Sequence, residues 1–245
     1  GNVFHRVMQR LYRGHALVTP ALLGRLLKDR SSLRGVVRDA VMAEMRSPEV
    51  GGRNLVLLEV VLDYVEATLR YDASLLEKAG SRGFRILGLE LRREMDWGGF
   101  HFKGYVDRMD SFRPGEVRIV DYKTGKVEDD DLLIGDGNAQ AVVDKLFGPD
   151  NRKRPKIALQ LFLYDLFAHA DPSLGGQRLL NSIYSTARFY TGPLPDMPES
   201  PVFHALMEER LQGLLADMAN PSIPFRRTED AASCACCDFK DICGR

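Results

Sequence analysis

A Pro-Gly turn set between two acid-bearing segments constrains this chain more than any other feature. Gly104-Tyr105-Val106-Asp107-Arg108-Met109-Asp110 and Val117-Arg118-Ile119-Val120-Asp121-Tyr122-Lys123-Thr124-Gly125 both read as short strands. Between them, Ser111-Phe112-Arg113-Pro114-Gly115-Glu116 carries the turn. Centred on Pro114, an antiparallel hairpin sets Asp107 opposite Asp121. Opposed residues share a face with Cβ atoms about 5 Å apart. The period of two then puts Lys123 on that face and turns Tyr122 to the other.

Two close carboxylates repel, so they are kept by sharing a proton or by binding a cation. Mg²⁺ and Mn²⁺ suit such a pair, because a few carboxylates leave positions for water and phosphate oxygens. The Tyr122 carbonyl offers one more oxygen, and Lys123 would orient a water or neutralise developing charge. The competing reading is an exposed cross-strand ion network of Asp107, Asp121 and Lys123. Spacing alone leaves both open.

Around this hairpin the pattern changes period once. Residues 2–27 have helical periodicity, divided by the N-cap signal Thr19-Pro20, and two more helices are expected over 33–45 and 55–79. Residues 84–91 and 100–103 read as strands joined at Asp96-Trp97-Gly98-Gly99, completing a three-stranded meander. A turn centred between Trp97 and Gly98 places Glu90 opposite Tyr105, on the face of Asp107; a one-residue slip would turn it away. Helices are expected over 139–147, 157–168 and 202–218, with Gln160 and Tyr164 sharing a face at i, i+4. A strand is expected over 179–185, extended over 188–190, and a loop over 191–198. The fold class is α/β: a helical N-terminal third and a mixed β-sheet, antiparallel meander plus added strand, flanked by helices.

With 34 basic and 34 acidic residues, overall charge implies no partner. Local patches do stand out. From Gly1 to Arg38 eight Lys/Arg face Asp29 alone, and Arg152-Lys153-Arg154-Pro155-Lys156 is a second basic run. Such patches fit a nucleic-acid groove or solvated helix faces. Glu128-Asp129-Asp130-Asp131 is acidic. No apolar run approaches the ~20 residues of a membrane span. All four cysteines lie in the tail, residues 221–245, which argues for metal ligation in a reducing compartment.

Gly104 to Asp110, Ile119 to Gly125 and the run Gln160-Leu161-Phe162-Leu163-Tyr164 resemble the RecB-type branch of the PD-(D/E)xK nuclease superfamily, in the same order. Gly1-Asn2-Val3-Phe4-His5 matches that branch's early histidine motif. The resemblance implies a restriction-endonuclease-like core and a single nuclease domain over 1–245, as a fragment of a longer protein. It implies that His5, Asp107, Asp121 and the Tyr122 carbonyl hold Mg²⁺ or Mn²⁺, with Lys123 catalytic and Gln160 and Tyr164 lining the site. Glu90 falls where some members carry an additional acidic residue. Cys234, Cys237 and Cys243 match the C-terminal triplet that holds a 4Fe–4S cluster in some members, whose fourth cysteine lies upstream of the histidine motif and is missing here. Cys236 in that place, zinc binding, or no metal at all are the alternatives. The nearest likeness is to AddB-like subunits of helicase–nucleases, implying a cytoplasmic DNA exonuclease of recombination and repair with a helicase–nuclease partner subunit. CRISPR-associated or phage-type exonucleases, and a catalytically inactive nucleic-acid-binding or scaffold domain of the same fold, are the alternatives.

Overall fold

The computed structural model describes residues 1–125, 127, 133–148, 154–224, 226, 228, 231–235 and 237–244. The chain opens with α1 (Asn2–Tyr12), a short strand β1 (Leu17–Val18), α2 (Pro20–Lys28), α3 (Arg30–Met45) and the long α4 (Arg53–Lys78). Local chemistry sets these ends. Thr19 accepts from Leu22 N at 3.2 Å with Pro20 at the first helical position, and Asp29 accepts from Ser32 N at 2.9 Å.

The sheet follows: β2 (Phe84–Trp97), β3 (Phe100–Ser111) and β4 (Glu116–Lys123), then α5 (Ala139–Phe147), α6 (Lys156–His169), β5 (Arg178–Ser185), β6 (Met197–Pro198) and α7 (Pro201–Ala219). Six strands lie in the order β1-β2-β3-β4-β5-β6. Only β4 and β5 pair in parallel, the helices α5 and α6 supplying the crossover such a pair requires. The mixed sheet and helical first third agree with the expected fold class. Two details differ. Residues 188–190 lie in a turn, not a strand, and the expected loop over 191–198 ends in β6, which pairs with β5.

Burial separates the two sheet faces. Phe84, Val120, Tyr122 and Tyr184 pack with α1–α4. Met109, Val117, Ile119 and Ile183 pack with Leu161, Tyr164 and Phe167 of α6. The central strand β4 is thus buried on both sides. Gly104 lets α6 approach β3: a Cβ there would stand 3.2 Å from the Phe167 ring.

Four of the eight basic residues of the N-terminal patch pair with acids of neighbouring helices. Arg6 pairs with Glu44, Arg10 with Asp39, Arg30 with Asp63 and Glu66, and Arg34 with Glu59. The solvated-face reading therefore accounts for it better than a groove does. The acidic run over 128–131, and Arg152 and Lys153 of the second basic run, lie outside the described residues.

Candidate metal centre

The hairpin register is the one the Pro-Gly turn predicts. Arg108 pairs with Val120, Met109 with Ile119 and Asp110 with Arg118. One step further, the same register sets Asp107 opposite Asp121. There the main-chain ladder stops, and Tyr122 N donates instead to Asp107 Oδ2 at 2.8 Å. A carboxylate takes the place of a ladder carbonyl, which anchors it at the strand opening.

Three side chains converge on this opening. His5 Nδ1 lies 3.3 Å from Asp107 Oδ1 and 3.6 Å from Glu90 Oε1, and His5 Nε2 lies 3.1 Å from the Tyr122 carbonyl oxygen. His5, Glu90 and Asp107 each offer a ligand atom within 4.8 Å of the others. Burial alone would lower the His5 pKa. The hydrogen bonds and charges of Asp107 and Glu90 outweigh it and raise it from 6.5 to about 10. The imidazolium is thus the cation that balances the two carboxylates in this state.

Glu90 reaches the cluster by a route that sequence counting misplaces. The turn is Gly98-Gly99, with φ of 58° and 81°, and Trp97 pairs with Phe100 across it. Leu89 pairs with Arg108 and Leu91 with Val106, so Glu90 stands opposite Asp107, not Tyr105. Moving the turn centre by one whole residue shifts the partner by two and preserves the face. A register differing by one residue would have turned Glu90 away. Glu90 is also in a left-handed conformation, φ 48°, unusual for a non-glycine residue. Leu91 lies over Gly88, where a Cβ would stand 2.1 Å from Leu91 Cδ1. Gly88 is the residue type this packing requires.

Asp121 belongs to a second, adjoining cluster rather than to the His5 group. Its Oδ2 lies 2.7 Å from Lys123 Nζ, and its Oδ1 accepts from Gln160 Nε2 at 3.0 Å and Tyr164 Oη at 3.3 Å. Lys123 Nζ donates to Gln160 Oε1 at 2.7 Å. Gln160 and Tyr164 come from one face of α6, as the i, i+4 spacing predicts, and are themselves 2.6 Å apart. Burial raises the Asp121 pKa; Lys123 opposes this and the Asp107 charge adds to it. Asp121 Oδ2 is buried and lacks an aligned hydrogen bond despite its contact with Lys123. Together with the adjoining group of His5, Asp107 and the Tyr122 carbonyl, this buried oxygen supplies donors of the kind a hard divalent cation takes.

Behind the hairpin lies a charged network that sequence reading saw only in part. Arg108 Nε donates to Asp110 Oδ2 at 2.6 Å. Arg108 also grips both oxygens of Asp72 at 2.8 and 2.9 Å, and Arg118 grips both oxygens of Asp110 at 2.8 and 3.0 Å. Tyr12, Tyr122 and Tyr184 complete the shell through their hydroxyls. Asp72 was the missed member, and a signal existed: it sits in the apolar series Leu58, Val61, Leu62, Val65, Leu69, Leu76 on the buried face of α4.

The described cysteines do not join either centre. Cys234 ends a 3₁₀ turn over Ala231–Cys234, Cys236 lies outside the described residues, and the metal-competent groups among the described residues contain no cysteine. A cavity of about 600 Å³ also lies elsewhere, lined by Asp63, Glu66, Arg70, Tyr71 and Tyr190 among others.

The model of the PD-(D/E)XK nuclease superfamily matches residues 1–244. The chain belongs to that superfamily, whose members are generally hydrolytic nucleases using divalent metals. No curated protein matches the chain. No helix among the described residues is long and apolar enough to cross a membrane.

Proposed function

We propose that this chain is a metal-dependent deoxyribonuclease that hydrolyses phosphodiester bonds at the opening between β3 and β4. The observation that supports it is the meeting of His5, Asp107 and the Tyr122 carbonyl beside the Asp121–Lys123 contact of 2.7 Å. His5, Asp107, Asp121 and the Tyr122 carbonyl hold Mg²⁺ or Mn²⁺, with Glu90 as a further acidic neighbour. A cation there supplies charge stabilisation and a more acidic water. Lys123, positioned by Gln160 and Asp121, would orient an attacking water or neutralise charge on the scissile phosphate. Tyr164 and Gln160 keep Asp121 and Lys123 in register with each other.

The motif order favours the RecB-type branch, and within it an AddB-like exonuclease subunit of a helicase–nuclease acting in recombination and break repair, in the cytoplasm. In that setting the domain is part of a longer protein, and Cys234, Cys237 and Cys243 contribute three ligands to a 4Fe–4S cluster completed from upstream. Linear single- and double-stranded DNA incubated with Mn²⁺ tests the activity. Cleavage is expected from the unaltered chain and not from Lys123→Ala. Equal background from both, with DNA binding retained, would instead mark a non-catalytic nucleic-acid-binding domain.

A further inference from the structure

A second group of donors sits on the α6 side of the sheet, apart from the hairpin. His204 Nε2 lies 2.9 Å from Asp165 Oδ2 and 3.5 Å from Glu199 Oε1, and the three residues offer ligand atoms within 4.8 Å of one another. Asp165 and His204 are buried, from α6 and α7; Glu199 is half-buried in the link between β6 and α7. His169 Nε2, at the end of α6, approaches Glu199 Oε1 to 2.6 Å. Donors arranged tetrahedrally about 2.0 Å from zinc are separated by roughly 3.3 Å. The two contacts of His204 straddle that spacing.

A second observation concerns Asn181, which adjoins Asp165 of this group. Asn181 of β5 is 95% buried, its relative exposure being 5%, and its Oδ1 has no hydrogen-bond partner while its Nδ2 donates to both Asp165 oxygens at 2.9 and 3.1 Å. Asp165, Asn181 and Glu199, together with apolar side chains such as Ile134, Leu161 and Phe203, the neighbour of His204, line one small cavity of about 20 Å³. That is room for a single water or ion. A buried carbonyl oxygen without a donor is costly unless such an occupant satisfies it.

We propose that Asp165, Glu199 and His204 form a second, structural metal site that takes Zn²⁺, with Asn181 hydrogen-bonded to its Asp165 ligand. Nitrogen and carboxylate donors of this mix suit zinc, and closed zinc sites contribute directly to folding. The ion ties together α6, β5, α7 and the segment entering α7. Its consequence reaches the candidate catalytic centre, because α6 presents Gln160 and Tyr164 within five residues of Asp165. The proposal does not depend on the nuclease reading.

Zinc chloride titrated into the full chain, with bound metal counted after dialysis and thermal midpoints recorded, tests it. One equivalent should vanish in Glu199→Gln and in His204→Gln. It should persist in Asp107→Asn and in the triple variant Cys234→Ser, Cys237→Ser, Cys243→Ser, which removes the tail thiols named above as alternative zinc ligands. Zinc should raise the midpoint of the latter two proteins and leave Glu199→Gln unmoved. An unchanged zinc count in Glu199→Gln, or no zinc in the Asp107→Asn protein, overturns the site and leaves a buried His204–Asp165 ion pair. Should His204→Gln fail to fold, the half-buried Glu199 decides the matter alone.

Discussion

Asp110 and Asp121 belong to the same hairpin and are both buried, yet they meet opposite fates. Asp110 lies between two arginines, and Arg118 and Arg108 hold its pKa low although burial opposes them. Asp121 has one lysine and shares its surroundings with Asp107, so its pKa is raised. Charge is balanced around Asp110 and acidic around Asp121. The first arrangement holds strands to helices. The second retains demand for a cation, which the His5 imidazolium meets in the structure described and a divalent metal would meet in a working nuclease.

Four substitutions or conditions can break this division, beginning with the largest effect. Arg108→Met leaves Asp72 and Asp110 buried without their shared partner, which should cost about 3–5 kcal/mol in urea unfolding. A protein as stable as the parent would show that the network is not what binds α4 to the sheet. Asp107→Asn keeps an oxygen for Tyr122 N but removes the charge. It should lower DNA cleavage about 10²–10³-fold, on the scale of losing one electrostatic contact to the reacting centre, with unfolding little changed. Cleavage and stability falling together would erase the contrast between the two clusters.

A pH series addresses the balanced side. Burial raises the pKa of Tyr12 and of Tyr184 above the ordinary value of 10.0, with the Asp72 charge contributing. The unfolded chain therefore loses these protons first. Stability from both groups is complete below pH 10 and falls as pH rises beyond it, by about 1.4 kcal/mol per pH unit for each tyrosine. Denaturant midpoints that stay flat from pH 9 to about 11 would contradict their burial beside Asp72. The smallest effect concerns Glu90. Glu90→Gly relieves a left-handed backbone worth about 1 kcal/mol while deleting a carboxylate. It should raise the melting midpoint and weaken Mn²⁺ binding. A lower midpoint would mean that the His5–Glu90 contact outweighs the strain.

The hairpin was the most legible part of the molecule because its information is local. A Pro-Gly turn defines a centre, and the alternation of strands then assigns Asp107, Asp121 and Lys123 to positions without further help. Gln160 and Tyr164 were legible for the same reason, as an i, i+4 pair on a helix. Glu90 was misplaced because its turn offered competing centres within Asp96-Trp97-Gly98-Gly99, and positive φ at both glycines selected one of them. The short strands β1 and β6 escaped notice, since two residues carry no period.

The amino-acid order alone determined the helical first third, the meander, the register of the central hairpin and the family motifs. These follow from hydrophobic periodicity and turn chemistry within a few residues. Tertiary structure decided which acids meet which cations: that Asp72 crosses from α4 to Arg108, that Glu90 and not Asp121 joins His5 and Asp107, and that Asp165, Glu199 and His204 converge. Charge pairing among residues distant in the chain depends on which helix packs on which sheet face, and that is settled only when the whole core closes.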